Sequence, residues 1–187
     1  MRYRRFIIPA FLLIVIAVCL TIWLSRRHYN VQTPDEPSTN RQHQHAEALI
    51  RANQVLIEKD FQEIKAFASQ NGWKMQTTQS GLWYEIYHHG TGEQAATGKL
   101  AEIAYTLSLP DSIHTVCYSS AQLGNKTFLI GQGGVETGLE EGILLMHTGD
   151  KARFVLPPHL AHGLTGDGDC IPRRAIIVYE VELLKLN

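Results

Sequence analysis

Apolar and polar positions change rhythm along the chain, and each rhythm predicts a different element. Phe6 to Leu24 runs for 19 residues without a charge, broken only by Pro9 and Thr21, and at about 1.5 Å per residue such a helix reaches across a bilayer's hydrocarbon core. From about residue 29 to 45 the composition turns to Gln, Thr, Asn, Ser, Pro and His with no apolar period. Nothing there repays the entropy of ordering, which predicts a flexible linker. Over 46–72 the apolar residues Ile50, Ile57, Phe61, Ile64 and Ala68 fall on one helical stripe, widened by Leu49 and Leu56. Gln70-Asn71-Gly72 supplies the stop. Such a helix packs on its own domain or, alternatively, pairs with a second copy through 46–69.

After Gly81 the period becomes two and the residues become β-formers. Leu82 to Tyr87 reads as a strand that ends at the His-His-Gly-Thr-Gly turn of 88–92. Further strands are predicted near Ala101–Leu109, Thr127–Ile130, Ala152–Leu156 and Ala175–Leu184, with one helical stretch over Thr137–Met146. Strands around a lone helix predict an α+β domain over 73–187, an antiparallel sheet wrapped over one short helix.

Charge narrows the function. Five of the 17 basic residues (Arg2, Arg4, Arg5, Arg26, Arg27) lie in the first thirty positions, while all 18 acidic residues follow them, leaving the remainder at net −6. A chain without a basic face lacks the electrostatic means to track phosphates, which argues against nucleic acid. The flanking arginines and Trp23 instead suit an anchor formed by 1–28. The expected placement is a single pass of the inner membrane with the domain in the periplasm; the alternative is a lipoprotein modified at Cys19. No Ser/His/Asp or Cys/His arrangement stands in a nucleophile setting. The His159-x-x-His162 pair with Asp167 and Asp169 raises a metal reading, but two prolines and three glycines in that stretch disfavour the helical turn such a pair needs.

Four ordered blocks carry a family resemblance: Ala104-Tyr105-Thr106-Leu107; Phe128 to Gly131 leading into Val135 to Gly142; Gly149-Asp150-Lys151 with Leu156 to Gly163; and Ile171-Pro172 with Val178 to Leu184. In order and spacing the chain from Gly81 to Asn187 resembles an FKBP-type peptidyl-prolyl isomerase domain. Cys117-Tyr118-Ser119-Ser120 and the anchor look most like the envelope-anchored branch associated with gliding bacteria. The resemblance implies a peptidyl-prolyl cis-trans isomerase that needs no cofactor or metal and acts on proline-containing unfolded or extended polypeptides. An alternative is a peptide-binding chaperone that has lost turnover.

Carried over position by position, the resemblance places Tyr105, Phe128, Val135, Ile171 and Tyr179 in the pocket, with Glu136, Leu139 and His162 where the family usually has Ile, Trp and Tyr. The Glu136 backbone N–H would hold a substrate carbonyl, a role that any non-proline side chain permits. Cys117, Tyr118, Lys126, Asp167 and Cys170 form the implied rim, Cys117-Tyr118 replacing a Phe-Asp pair and Lys126 a Phe. Cys117 and Cys170 either bridge or remain free thiols.

Overall fold

The computed structural model describes residues 17–25 and 37–187, the side chains of 37–42 excepted. The chain divides into two compact units, Met1–Arg51 and Ala52–Asn187. Most of the apolar run Phe6–Leu24 lies outside the described residues; its C-terminal part is helical within 17–25 and carries the exposed apolar residues Val18, Leu20, Ile22, Trp23 and Leu24. Among the described residues no helix is long and apolar enough to cross a membrane.

Helix α1 runs from Pro37 to Gln70, so it begins inside the segment expected to be linker. Proline at the first helical position costs nothing, because the N–H it lacks would have no intrahelical acceptor. The Arg and Gln residues that follow are good helix formers, so the want of an apolar stripe does not prevent helix there. Within the second unit, only the last turns of α1 are buried. Ile64, Phe67 and Ala68 are covered, whereas Ile57 and Phe61 remain exposed. The predicted stripe therefore packs at its C-terminal end alone, and Phe67, absent from that stripe, is one of its main contacts.

Seven strands follow, with a short helix α2 (Ser120–Leu123) between β4 and β5: β1 (Gln76–Thr77), β2 (Trp83–His88), β3 (Leu100–Ser108), β4 (Val116–Ser119), β5 (Lys126–Leu129), β6 (Lys151–Leu156) and β7 (Ile177–Leu186). They form one antiparallel sheet in the order β1-β2-β6-β7-β3-β4. The free edge of β3 is shared, its first half pairing with β5 and its second with β4. The antiparallel sheet with one short helix on its inner face matches the expected α+β architecture.

Two apolar clusters sit on opposite faces of the sheet. The smaller joins Ile64 and Phe67 of α1 to Trp83, Val155, Ile176 and Val178. The larger closes under helix α3 (Thr137–Leu144), which buries Gly138, Leu139, Gly142 and Ile143. Its two buried glycines explain the closeness. A Cβ on Gly138 would fall 2.7 Å from Leu156 Cγ, and one on Gly142 would fall 2.8 Å from the Phe154 ring. Only hydrogen at both positions lets α3 rest directly on β6. Fixing α3 in this way also fixes the loop that enters it, and that loop carries Val135 and Glu136.

Candidate active site

β3, β5 and β7 meet the head of α3 and the loop after β6, and the residues singled out in the sequence gather at that junction. Phe128, Leu139, Ile171 and Tyr179 are each less than a tenth exposed and belong to one buried cluster; Tyr105, Cys117, Tyr118 and Val135 pack against it, partly open. Two layers result. The buried four form a floor, and the second layer lies outward of it, partly open to solvent. Tyr105 and Tyr179 are tilted against each other with ring centres 6.1 Å apart, a favourable aromatic geometry.

Glu136 supplies the polar wall. It stands at the N-cap of α3 with non-helical backbone, so its own N–H lies ahead of the helical ladder and has no intrahelical carbonyl to bond. Its side chain turns inward. The Tyr179 hydroxyl donates to Glu136 Oε1 at 3.1 Å, and His162 Nε2 lies 3.0 Å from the same oxygen. A carboxylate only accepts, so that contact is satisfied by the tautomer with its proton on Nε2. Glu136 Oε2 is buried without a hydrogen-bond partner among the described residues. Burial first, then the charge of Glu136, pushes the Tyr179 phenol far above its ordinary value. The same two causes raise Tyr105. Both phenols keep their protons.

The rim is fastened twice. Cys117 on β4 is disulfide-bonded to Cys170, across 53 residues of sequence. The Tyr118 hydroxyl donates to Asp167 Oδ2 at 2.5 Å, and Asp167 Oδ1 accepts from the N–H groups of Asp169 and Ile171 at 2.9 and 2.8 Å. Desolvation pulls Asp167 upward, but the hydrogen bonds from Tyr118, Asp169 and Ile171 outweigh it and leave the carboxyl below its usual range. The bond to Asp167, seconded by burial, pushes the Tyr118 phenol up to about 12. These links hold Ile171, part of the floor, against β4. Lys126, the first residue of β5, stands with its ammonium 5.9 Å from the centre of the Tyr105 ring.

The structure therefore brings the thirteen sequence-derived positions around one junction by four kinds of contact: the apolar cluster, the Glu136 hydrogen bonds, the two rim fastenings and the lysine over Tyr105. What sequence reasoning missed is the Glu136 side chain. Only its backbone had been given a role, and its partners lie 26 and 43 residues away. An acid in a run that otherwise reads as pocket wall was the available signal. The metal reading finds no support in the geometry: His159 Nε2 lies 2.8 Å from the Ser80 carbonyl while His162 turns to Glu136. Among the described residues no group of three or more His, Cys, Asp or Glu side chains is placed to hold a metal ion.

The family model for FKBP-type peptidyl-prolyl cis-trans isomerases matches residues 91–184, half of the chain, and thus nearly every element that builds this junction. The chain belongs to that family. It is 32% identical over 146 residues to the FKBP-type 22 kDa peptidyl-prolyl cis-trans isomerase of Escherichia coli, covering 77% of this chain and 68% of that one. It is 38% identical over 125 residues to the FKBP-type isomerase FkpA of Aeromonas hydrophila, covering 66% of this chain and 44% of the relative. The chain thus spans less than half the length of Aeromonas FkpA in that match. Among solved structures, AtFKBP13 superposes with a TM-score of 0.56 at 29% identity, over 61% of this chain and 99% of that one. FkpA from Escherichia coli shares the fold with a TM-score of 0.59 at 24% identity, over 91% and 82%.

Proposed function

We propose that this FKBP-family chain is a peptidyl-prolyl cis-trans isomerase that assists the folding of proline-containing polypeptides. The observation that carries the reading is the two-layered junction: a buried, mainly apolar floor of Phe128, Leu139, Ile171 and Tyr179 beneath the partly open Tyr105 and Val135. Turning an X-Pro bond requires no nucleophile, metal or proton carrier; what opposes it is amide resonance, a barrier of about 18–20 kcal/mol. The twisted imide has lost charge separation, so it loses less than the planar ground state on leaving water. A dry wall therefore favours the transition state differentially. The Glu136 N–H, free of the α3 ladder, supplies a donor for a substrate carbonyl.

The test is isomerisation of a proline-containing tetrapeptide by the full chain in neutral detergent, followed by NMR exchange or a protease-coupled readout. A rate above buffer at micromolar protein is expected, and Tyr105→Ala should lower kcat/KM by about tenfold through loss of aromatic wall. A rate equal to buffer at every concentration overturns the reading.

Three finer assignments belong to the same proposal. The apolar run Phe6–Leu24 with its flanking arginines supports a single-pass anchor with the domain on the periplasmic side of the inner membrane. That anchor and Cys117-Tyr118-Ser119-Ser120 support the envelope-anchored branch. Protease digestion of spheroplasts should degrade the domain, and protection from digestion would contradict the placement. The exposed Val55, Ile57 and Phe61 on α1 support self-association through that helix. Light scattering of the detergent-solubilised chain should give twice the protomer mass, falling to one protomer in Ile57→Glu; a single-protomer mass for the unaltered chain would exclude it.

A further inference from the structure

Lys126 stands on the wrong face of its strand for a surface lysine. Residues two apart on a strand share a face, so Lys126 lies on the side of the buried Phe128, and its register partner on β3 is the fully buried Ile103. Tyr105, two residues beyond Ile103, shares that face, and the ammonium stands near the outer limit of a cation–π contact with its ring. The opposite face of the same strand pair carries Thr127 against Glu102, the kind of polar pair a solvated surface holds. The charge has been placed where the neighbouring residues are core or pocket.

Its electrostatic surroundings leave that charge uncompensated. Lys99, just before β3, and Lys151 of β6 are paired with Glu93 and Glu182. Among the described residues Lys126 has no ion pair; its recorded contact is the Tyr105 ring. Of the acids of the site, Glu136 is held through Oε1 by Tyr179 and His162, with its other oxygen buried, and Asp167 by Tyr118 and two backbone N–H groups. Asp169 stands across the rim, exposed, 3.5 Å from the Tyr118 hydroxyl. Lys126 itself is only partly buried, so its head remains open to a ligand.

We propose that Lys126 is a specificity-determining residue that selects anionic proline segments. With a proline ring lying against Tyr105 and Val135, an acidic side chain in the residue before the proline meets the unpaired ammonium at the mouth, whereas a basic one is repelled. This rests on the isomerase reading above and deepens it by naming a substrate class.

The test compares three peptides, identical except for Glu, Leu or Lys before the proline, with the full chain in neutral detergent. Both kcat/KM and Kd are measured, the latter by NMR titration. The Glu peptide should exceed the Lys peptide by about fivefold in each, the scale of one partly solvated ion pair, and the ratio should shrink as ionic strength rises and shortens the screening length. Lys126→Met should bring the ratio to one, Lys126→Glu should invert it, and Lys126→Arg should keep it. An equal preference in the unaltered chain, or a ratio unmoved by Lys126→Met, overturns the proposal. If none of the peptides turns over faster than in buffer, the isomerase reading fails, while the Kd ratios still decide the role of Lys126.

Discussion

The floor and the rim of the site obey different rules. The floor is made of side chains that also close the domain's core, so Phe128, Leu139 and Tyr179 answer to packing as much as to any substrate. The rim carries a disulfide, a tyrosine–aspartate bond and a lysine over an aromatic ring, none of which closes the buried cluster. Interiors are packed at crystal density and tolerate little. A rim bounded by solvent can exchange an aromatic wall for charges and cross-links without unfolding the sheet below. The floor is therefore tied to the fold, whereas the rim is free to vary.

Substitutions can break that division, beginning where the effect should be largest. Phe154, fully buried against Gly142, belongs to the core alone, and Phe154→Ala should cost about 3–5 kcal/mol in chemical denaturation. A cost below that of any rim substitution would erase the distinction. Cys117→Ser with Cys170→Ser should cost about 2–4 kcal/mol, because the bridge removes chain entropy from the unfolded state, and the loss should be matched by adding reductant to the unaltered chain. Glu136→Ala should cost about 1–3 kcal/mol, since it leaves the buried Tyr179 hydroxyl without its acceptor. In a double-mutant cycle with Tyr179→Phe, most of that cost should vanish. Additive costs would mean that the Glu136–Tyr179 bond contributes nothing.

The smallest effect is the pH dependence of the rim. Asp167 is depressed in the folded state, so the stability it contributes is present above about pH 4, the ordinary aspartate value, and is lost as pH falls through its folded value. Tyr118 is raised to about 12. Its contribution is present below about pH 10, the ordinary tyrosine value, and is lost as pH climbs toward the raised one. Tyr118→Phe should shrink the alkaline limb, the raised Tyr179 and Tyr105 keeping the remainder, and flatten the acid one in urea melts taken across pH. An unchanged pair of limbs would show that this hydrogen bond does not couple β4 to the loop.

Local signals carried most of the fold. β2, β3, β5, β6, β7 and α3 stand within a few residues of where alternation and turn residues put them, because each buries at least one face against a core that enforces its period. β1, at two residues, and β4, at four, are too short to show a period at all. The start of α1 was misplaced because a polar helix leaves no apolar trace. At the site, residue identities followed from family spacing, whereas the Glu136 bonds and the Tyr118–Asp167 bond join residues 26 to 49 apart and could not be read from neighbours. The bridge between Cys117 and Cys170 stayed undecided on the same ground: composition supplies two thiols but not the distance between them.

The strand order has a consequence for how the chain assembles. β7 is the last strand of the sheet to be synthesised, yet it lies between β6 and β3 and is hydrogen-bonded to both. Until it arrives, β2–β6 and β3 with its neighbours are two separate ribbons with their inner edges bare, waiting for a keystone. A chain cut short before Ile177 should show no cooperative melting transition, and the domain is thus exposed to misassembly until its β7 strand slots home.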